Sequence, residues 1–558
     1  MARISIAFLG VLTLLCFSCN ERGRGNPATG YTGSDQYDSQ SPKVPVQVEN
    51  ITVMEMQQSE IKFSPPVIKK DETVQKQQLG NETEFNTEDY DHIVENKFES
   101  TLHQALSTFS IDVDEAAYSN VRRFLQGGSL PPPGAVRIEE MINYFDYEYA
   151  QPDHDDPFAV HTELAECPWN PKHRLVHIGL QGRSVPLNDL PPSNLVFLVD
   201  VSGSMDEPNK LPLVQSSLNM LVNHLREKDK VAIVVYAGNA GLVLPSTNGT
   251  SKTRIMEAIS QLEAGGSTAG GEGIQLAYKI ARENFISQGN NRVILATDGD
   301  FNVGLSSDDE LVNMIEKERQ SGVYLSVLGF GMGNYKDNKM QQLANKGNGN
   351  HSYIDNINEA RKVLVNEFGS TLFTIAKDVK IQIEFNPRKV QAYRLIGYEN
   401  RMLAAADFND DSKDAGELGS GHTVTALYEL IPAGIESTFI KTVDELKYQK
   451  GRTIAATNES DEIMNIRLRY KQPDGNQSRL IVHPVKDSGR TVEASSDNFR
   501  FSAAVASFGL MLRNSEYKQQ ASYDMVLRLA QSSKGRDING YRSEFIHLVK
   551  TTTAIVKN

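Results

Sequence analysis

Cysteine is nearly missing from this chain: there are three in 558 residues, at positions 16, 19 and 167. Two of them lie in or just after the N-terminal apolar stretch, so once Cys16 is removed and Cys19 acylated no intramolecular disulfide can form. Cys167, in Glu166-Cys-Pro-Trp169 beside the only tryptophan, reads as a buried structural thiol rather than a nucleophile. An excess of positive charge is also lacking. The formal net charge is −14, which argues against a phosphate-binding basic face and therefore against nucleic acid as a partner. Long hydrophobic runs are absent; the most apolar stretch, 4–17, is too short to remain in a bilayer as a spanning helix. Catalytic signatures are missing as well. There is no G-x-x-x-x-G-K-[ST], no G-x-S-x-G and no H-E-x-x-H, and Gly329-Phe-Gly-Met-Gly333 lacks the dinucleotide spacing. No base lies near the mobile serines in sequence.

What is present at the N-terminus is a charged Arg3, an apolar core, and Cys16-Phe-Ser18-Cys19 followed by polar Asn20. This resembles a bacterial lipoprotein signal peptide over 1–19, with Cys19 as the lipidated first residue; Cys16 stands where such signals usually carry Leu. An ordinary cleaved secretory signal is the alternative, and both take the protein out of the cytoplasm. The expected location is the bacterial cell envelope, lipid-anchored, periplasmic or surface-exposed. Residues 20–104 are rich in Gln, Asn, Ser, Thr, Glu, Asp and Pro without a sustained apolar period, and read as a disordered tether. A flexible chain of about 80 residues reaches on the order of 50 Å.

At this length several domains are expected. In an N-terminal extension, 105–192, Tyr118, Val121 and Leu125 share one helical face and Ile138, Met141, Ile142 and Phe145 another, with Pro131-Pro-Pro-Gly134 between them. Strands are predicted at 158–163 and 175–181. Over 193–375, strands at 194–199, 230–237, 292–297, 323–330 and 351–355 alternate with helical patterns at 209–226, 252–263, 271–287, 308–320, 336–346 and 357–372. The short apolar runs bounded by Gly and Asp predict a doubly wound, mostly parallel α/β sheet. From 376 to 558 the pattern turns β-rich and sandwich-like, with strands near 379–385, 423–430, 464–470 and 479–485, and then helical near 499–512, 523–530 and 541–549. Two isolated strands are too few for a stable sheet. Those at 158–181 are therefore expected to pair with strands after 375, making the α/β domain an insertion.

The run 194–199 ends on Asp200, and Ser202 and Ser204 follow at alternate positions around Gly203. In open α/β sheets ligands bind beyond the carboxyl ends of the strands, and alternate residues of an extended chain face one side. Asp200, Ser202 and Ser204 would thus converge. Two other places supply oxygen to the same crevice: Thr268 in the Gly-rich loop 265–271, and Asp298 closing the strand 292–297. One or two carboxylates with neutral hydroxyls suit a hard cation such as Mg²⁺. The competing reading is helix capping by Ser204 or Asp206. Asp300 and Asn302 read as surface turn residues, and Asp153-His-Asp-Asp156 as a polar turn. Asp407-Phe-Asn-Asp-Asp411 resembles the start of a calcium loop, but it lacks Gly at the sixth position and has Glu417 one place early, so it reads as a solvated acidic loop.

Asp200-Val-Ser202-Gly-Ser204 with Thr268 and Thr297-Asp298-Gly299 resembles the von Willebrand factor type A domain and its metal-ion-dependent adhesion site. More widely, the segments STFSIDVDEAAYSNVRRFL, VRIEEMINYF, ECPWN and TALYELIPAG resemble a bacterial envelope subfamily with an N-terminal extension and a C-terminal domain of uncharacterised function. The resemblance implies that Asp200, Ser202, Ser204, Thr268 and Asp298 hold Mg²⁺ or Mn²⁺, directly or through water, and that one coordination position accepts an Asp or Glu of a partner. It also implies that a shift of the helix near 357–372 alters coordination. The expected function is a membrane-tethered, divalent-metal-dependent protein-binding module for adhesion or envelope assembly, not an enzyme. Its partner would be an envelope or extracellular protein. The alternative is a metal-assisted hydrolase of an envelope substrate; an assembly factor for an ATPase is a third class.

Overall fold

The computed structural model describes residues 88–153, 155–266, 270–299, 308–367, 369, 373–440 and 460–557. The signal peptide over 1–19, Cys19 and most of the tether lie outside the described residues. Among the described residues no helix is long and apolar enough to cross a membrane.

The middle of the chain forms a six-stranded sheet in the order His351–Ile354, Val323–Phe330, Asn290–Thr297, Ser193–Asp200, Lys230–Tyr236, Ala240–Asn248. The first five are parallel and the last is antiparallel. Every residue of Ser193–Asp200 and of Asn290–Thr297 is buried, which is why both read as almost unbroken apolar runs. Alternation then divides them between two layers. Leu195, Phe197 and Val199 enter one core, against helices Leu211–His224 and Lys252–Ser260. Val196 and Leu198 enter the other, against Gly270–Glu283, Asp308–Gln320 and Asp337–Lys346. The α/β fold read from the sequence is therefore present.

Two elements of this domain differ from expectation. The edge strand Ala240–Asn248 was not predicted; it carries Pro245 and exposes Leu242 and Val243, so its side chains follow no clear apolar alternation. The helix expected over 357–372 is, in its described part, a five-residue α-helix, Ile357–Arg361, that widens into a π turn at Lys362–Asn366. Asn356 caps its start by accepting from the amides of Asn358 and Glu359. The turn widens where Lys362 enters the protein, its ammonium 2.7 Å from Glu115 and 4.4 Å from the centre of the Tyr144 ring.

Around this insertion lies a two-sheet body. One antiparallel sheet runs Glu99–Ser100, Val390–Ile396, Thr423–Pro432, Asn170–Gly182, Phe158–Cys167. The other runs Gly416–Gly419, Thr374–Phe385, Glu462–Lys471, Ser478–Lys486, with Leu106–Ser110 also on Thr374–Phe385. Their inner faces share a core that includes Phe109, Ile178, Ile381, Tyr428 and Ile466. Thr423 to Leu430 pairs with Gln181 back to Arg174, so the strands on either side of the α/β domain do join, and that domain is inserted. The segment 105–192 is accordingly part of the body. Its strands belong to both sheets, and its helices Ala116–Gln126 and Ile138–Asn143 share a core with Asp497–Leu512, Tyr523–Ser532 and Tyr541–Lys557.

The tether assigned to 20–104 is corrected at its end. Glu88 pairs with Arg123 at 2.7 Å, the Asn96 amide donates to the Gly397 carbonyl at 2.8 Å, and Glu99–Ser100 is a strand. These partners lie far along the chain, so local polarity hides them.

Buried polar side chains tie strands to helices. His177 binds the Tyr149 hydroxyl at 2.5 Å through Nε2 and the Ser502 hydroxyl at 3.0 Å through Nδ1. Burial pushes its pKa down from 6.5 to about 3. Below the ordinary value the unfolded chain takes a proton that the folded chain refuses, so this residue's contribution to stability is lost as pH falls through that window. His177→Gln is expected to flatten the acid loss of stability by about 1.4 kcal/mol per pH unit between roughly pH 6 and pH 4. Urea denaturation of both proteins across that range reads the difference; parallel profiles would show that His177 is charged when folded.

Candidate metal centre

Asp200 ends the central strand Ser193–Asp200 and is fully buried. Its Oδ1 accepts the Ser202 amide at 2.9 Å, and Oδ2 accepts the Tyr236 hydroxyl at 3.0 Å and the Thr297 hydroxyl at 3.2 Å. Burial pushes this carboxyl up to about 6, the nearby Asp298 charge adding to the rise and the Ser202 hydrogen bonds opposing it. Beyond it the chain stays extended at Ser202 and then makes one tight turn, Gly203–Asp206, anchored by buried Met205. The Ser202 and Ser204 hydroxyls stand 3.1 Å apart. Neither Ser204 nor Asp206 caps the following helix, whose N-cap is Lys210 and has no side-chain cap. The capping reading does not hold.

Asp298 follows the neighbouring strand Asn290–Thr297 and is also fully buried. Two buried carboxylates thus stand at the carboxyl ends of adjacent parallel strands. Thr268 lies outside the described residues. The loop leading to it is nevertheless stitched to the first one: the Gly265 amide donates to the Val201 carbonyl at 2.7 Å, and the Gly203 amide to the Gly266 carbonyl at 3.1 Å. Gly266 has φ +87°, where a side chain would be strained.

Lys210 was not anticipated. Its ammonium lies 3.3 Å from Asp298 Oδ2, donates to the Ser204 carbonyl at 3.0 Å, and lies 3.2 Å from Glu207. The side chain passes over Gly331, where a Cβ would come within 2.4 Å of Lys210 Cε. A lysine after a turn is an ordinary surface residue in sequence, and only the packing across Gly331 reveals its target.

The donor set fits a hard divalent ion: two carboxylates and two hydroxyls, all oxygen. Among the described residues no group of three or more His, Cys, Asp or Glu side chains gathers around a common point.

The family profile described as von Willebrand factor type A domain matches residues 194–366. A second, described as von Willebrand factor, matches 84–177, and a third, described as Uncharacterized protein YfbK, C-terminal, matches 370–555. The Escherichia coli (strain K12) protein YfbK is 45% identical over 473 residues, spanning 84% of this chain and 81% of that protein. The chain belongs to the YfbK family.

Among solved structures, a von Willebrand factor type A protein from Catenulispora acidiphila aligns with 70% of this YfbK-family chain and 90% of its own at 15% identity and a TM-score of 0.37. The ArnB paralog VWA2 from Sulfolobus acidocaldarius aligns over 72% and 98% at 13% identity and a TM-score of 0.34.

Elsewhere in the YfbK-family chain the remaining sequence candidates resolve as follows. Asp300 and Asn302 lie outside the described residues. In the acidic loop at 407–411, the Lys380 ammonium takes the carbonyls of Asp407 and Asp410 at 3.2 and 2.6 Å, and Lys471 takes that of Asp411 at 2.7 Å. Lysines organise this loop from within. Cys167 is buried and burial pushes its thiol well above the usual range, which makes it unreactive.

Proposed function

We propose that this chain is an envelope-tethered module that binds a protein partner through a divalent cation, Mg²⁺ or Mn²⁺, held by Asp200, Ser202, Ser204, Thr268 and Asp298. One observation carries the reading: buried Asp200 and Asp298 at the ends of adjacent strands, with a pair of serine hydroxyls 3.1 Å apart beside them. When bound, the cation supplies a Lewis-acidic position able to take a carboxylate oxygen from an Asp or Glu of the partner. The chain's own part is to keep that position weakly neutralised. Neutral hydroxyls occupy places that further carboxylates would fill, and Tyr236 and Thr297 hold Asp200 by donating to it. Tethering would come from lipidated Cys19. The net charge of −14 gives nucleic acid no foothold.

Pull-down from a bacterial envelope fraction tests the reading, with Mg²⁺, with chelator, and with Asp200→Ala. The partner is expected with the wild type in Mg²⁺ and to be lost, by tenfold or more, in the other two. Equal recovery in all three overturns the proposal.

A further inference from the structure

About 17 Å along the sheet from Asp200, at its other end, a cavity of about 380 Å³ opens between the inserted domain and the two-sheet body. Most charges in its wall are paired. Arg401 meets Asp112 at 2.7 Å and Asp114 at 3.1 Å, Arg319 meets Asp414 at 2.5 Å, and Lys346 meets Glu316 at 2.5 Å. Glu115, beside His422, meets Lys362 at 2.7 Å. Among the described residues of the wall, Arg292 and Glu417 are the two charged side chains without an opposite charge in contact.

Arg292 is 2% exposed. It donates through Nη1 to the Ser326 hydroxyl at 2.7 Å and lies 5.6 Å from the centre of the Tyr324 ring. Its Nε has no partner among the described residues, and no carboxylate there comes within ion-pair distance. It is the exception among the buried arginines. Arg122 pairs with Glu359, Arg137 with Asp337, Arg394 with Glu429 and Arg513 with Glu399. Glu417 accepts from the Thr374 hydroxyl at 2.6 Å and the Asn348 amide at 3.3 Å, and likewise has no cation in contact among the described residues. Burial moves the Glu417 carboxyl up and the Arg292 guanidinium down; each is the nearest opposite charge acting on the other, which opposes both shifts, but the two are not in contact.

We propose that this cavity binds a small zwitterion of the amino-acid class, with its carboxylate on Arg292 and its ammonium on Glu417. A buried guanidinium without a carboxylate is costly, and its planar fork matches a carboxylate best. The two unmatched charges are equal and opposite, so a net-neutral ligand compensates both. A phosphate would meet Arg292 but leave Glu417 without a cation and add further negative charge beside it. The volume is that of a small-molecule site. Glu417, the residue that spoiled the calcium-loop reading, thereby has a ligand to hold. The site is separate from the metal centre and does not depend on it.

Thermal shift and isothermal titration on the full-length chain test this, using the standard amino acids and D-alanine at about 5 mM, with acetate, methylammonium and inorganic phosphate as controls. At least one amino acid is expected to raise Tm by about 3 °C or more, with chelator present or absent, and the controls to do much less. Arg292→Met and Glu417→Gln should each weaken that ligand tenfold or more. The melting temperature of each variant without ligand checks that it is folded. Arg292→Lys serves as the second variant if Arg292→Met does not fold, with the same expected weakening. No response to any amino acid, an equal response to phosphate or acetate, or unchanged affinity in the variants overturns the proposal.

Discussion

Arg122→Ala is expected to lower the unfolding free energy by about 3–5 kcal/mol. Arg122, on the helix Ala116–Gln126, is 1% exposed and spends all of its donors inside the protein. Nε donates to Asp355 at 2.8 Å, Nη1 to the Tyr144 hydroxyl at 3.1 Å and to Glu544 at 2.9 Å, and Nη2 to Glu359 at 2.7 Å and to Asp355. Asp355 and Glu359 belong to the inserted domain, Glu544 to the last helix, Tyr541–Lys557. One guanidinium therefore pins three parts of the chain together. Removing it leaves two nearly buried carboxylates with no cation where it stood, and their desolvation is then uncompensated. Denaturation in urea or guanidinium measures the loss. A change below about 1 kcal/mol would mean that the acids take up protons or water at little cost. Arg122→Lys keeps the charge but not the five-donor fork, and should recover only part of the stability.

Lys210→Met is expected to tighten Mg²⁺ binding about tenfold, and Asp298→Asn to weaken it by at least as much. In the described site the Lys210 ammonium already sits on Asp298, one of the two buried carboxylates. A single and a double positive charge sharing one carboxylate repel by several kcal/mol even at an effective permittivity near 20. Losing the hydrogen bond to the Ser204 carbonyl offsets part of that gain by loosening the turn. Lys210→Met should also lower Tm in chelator, where both carboxylates then stand without a cation, and Mg²⁺ should restore it. Isothermal titration of wild type and variants separates the cases. A wild type that takes up no Mg²⁺ removes the metal-binding reading itself. A wild type that binds, with unchanged affinity in Lys210→Met, removes only the role given to Lys210.

The parts legible in sequence are those where chemistry is local. Ser193–Asp200 and Asn290–Thr297 are buried on both faces, so composition alone marks them as central parallel strands. Asp200, Ser202 and Ser204 lie within five positions, and their spacing already implies a common direction. The edge strand Ala240–Asn248 was hidden because half of it faces solvent. The π turn at Lys362 was hidden because one partner of Lys362 there, Glu115, comes from a distant helix start. Arg292 stands near the start of an apolar strand, and its burial follows from the body docking over it. Lys210 and the anchors of 88–104 were missed for the same reason. Each depends on a contact that no short window contains.

The insertion also sets a timetable for synthesis. The hairpin Phe158–Cys167 with Asn170–Gly182 leaves the ribosome well before Thr423–Pro432, the strand that covers its open edge. At about 5–20 residues per second, roughly 240 residues of delay is on the order of ten seconds or more. The inserted domain, contiguous in the chain, is finished within that interval and folds first. The waiting hairpin therefore spends that interval with its open edge uncovered.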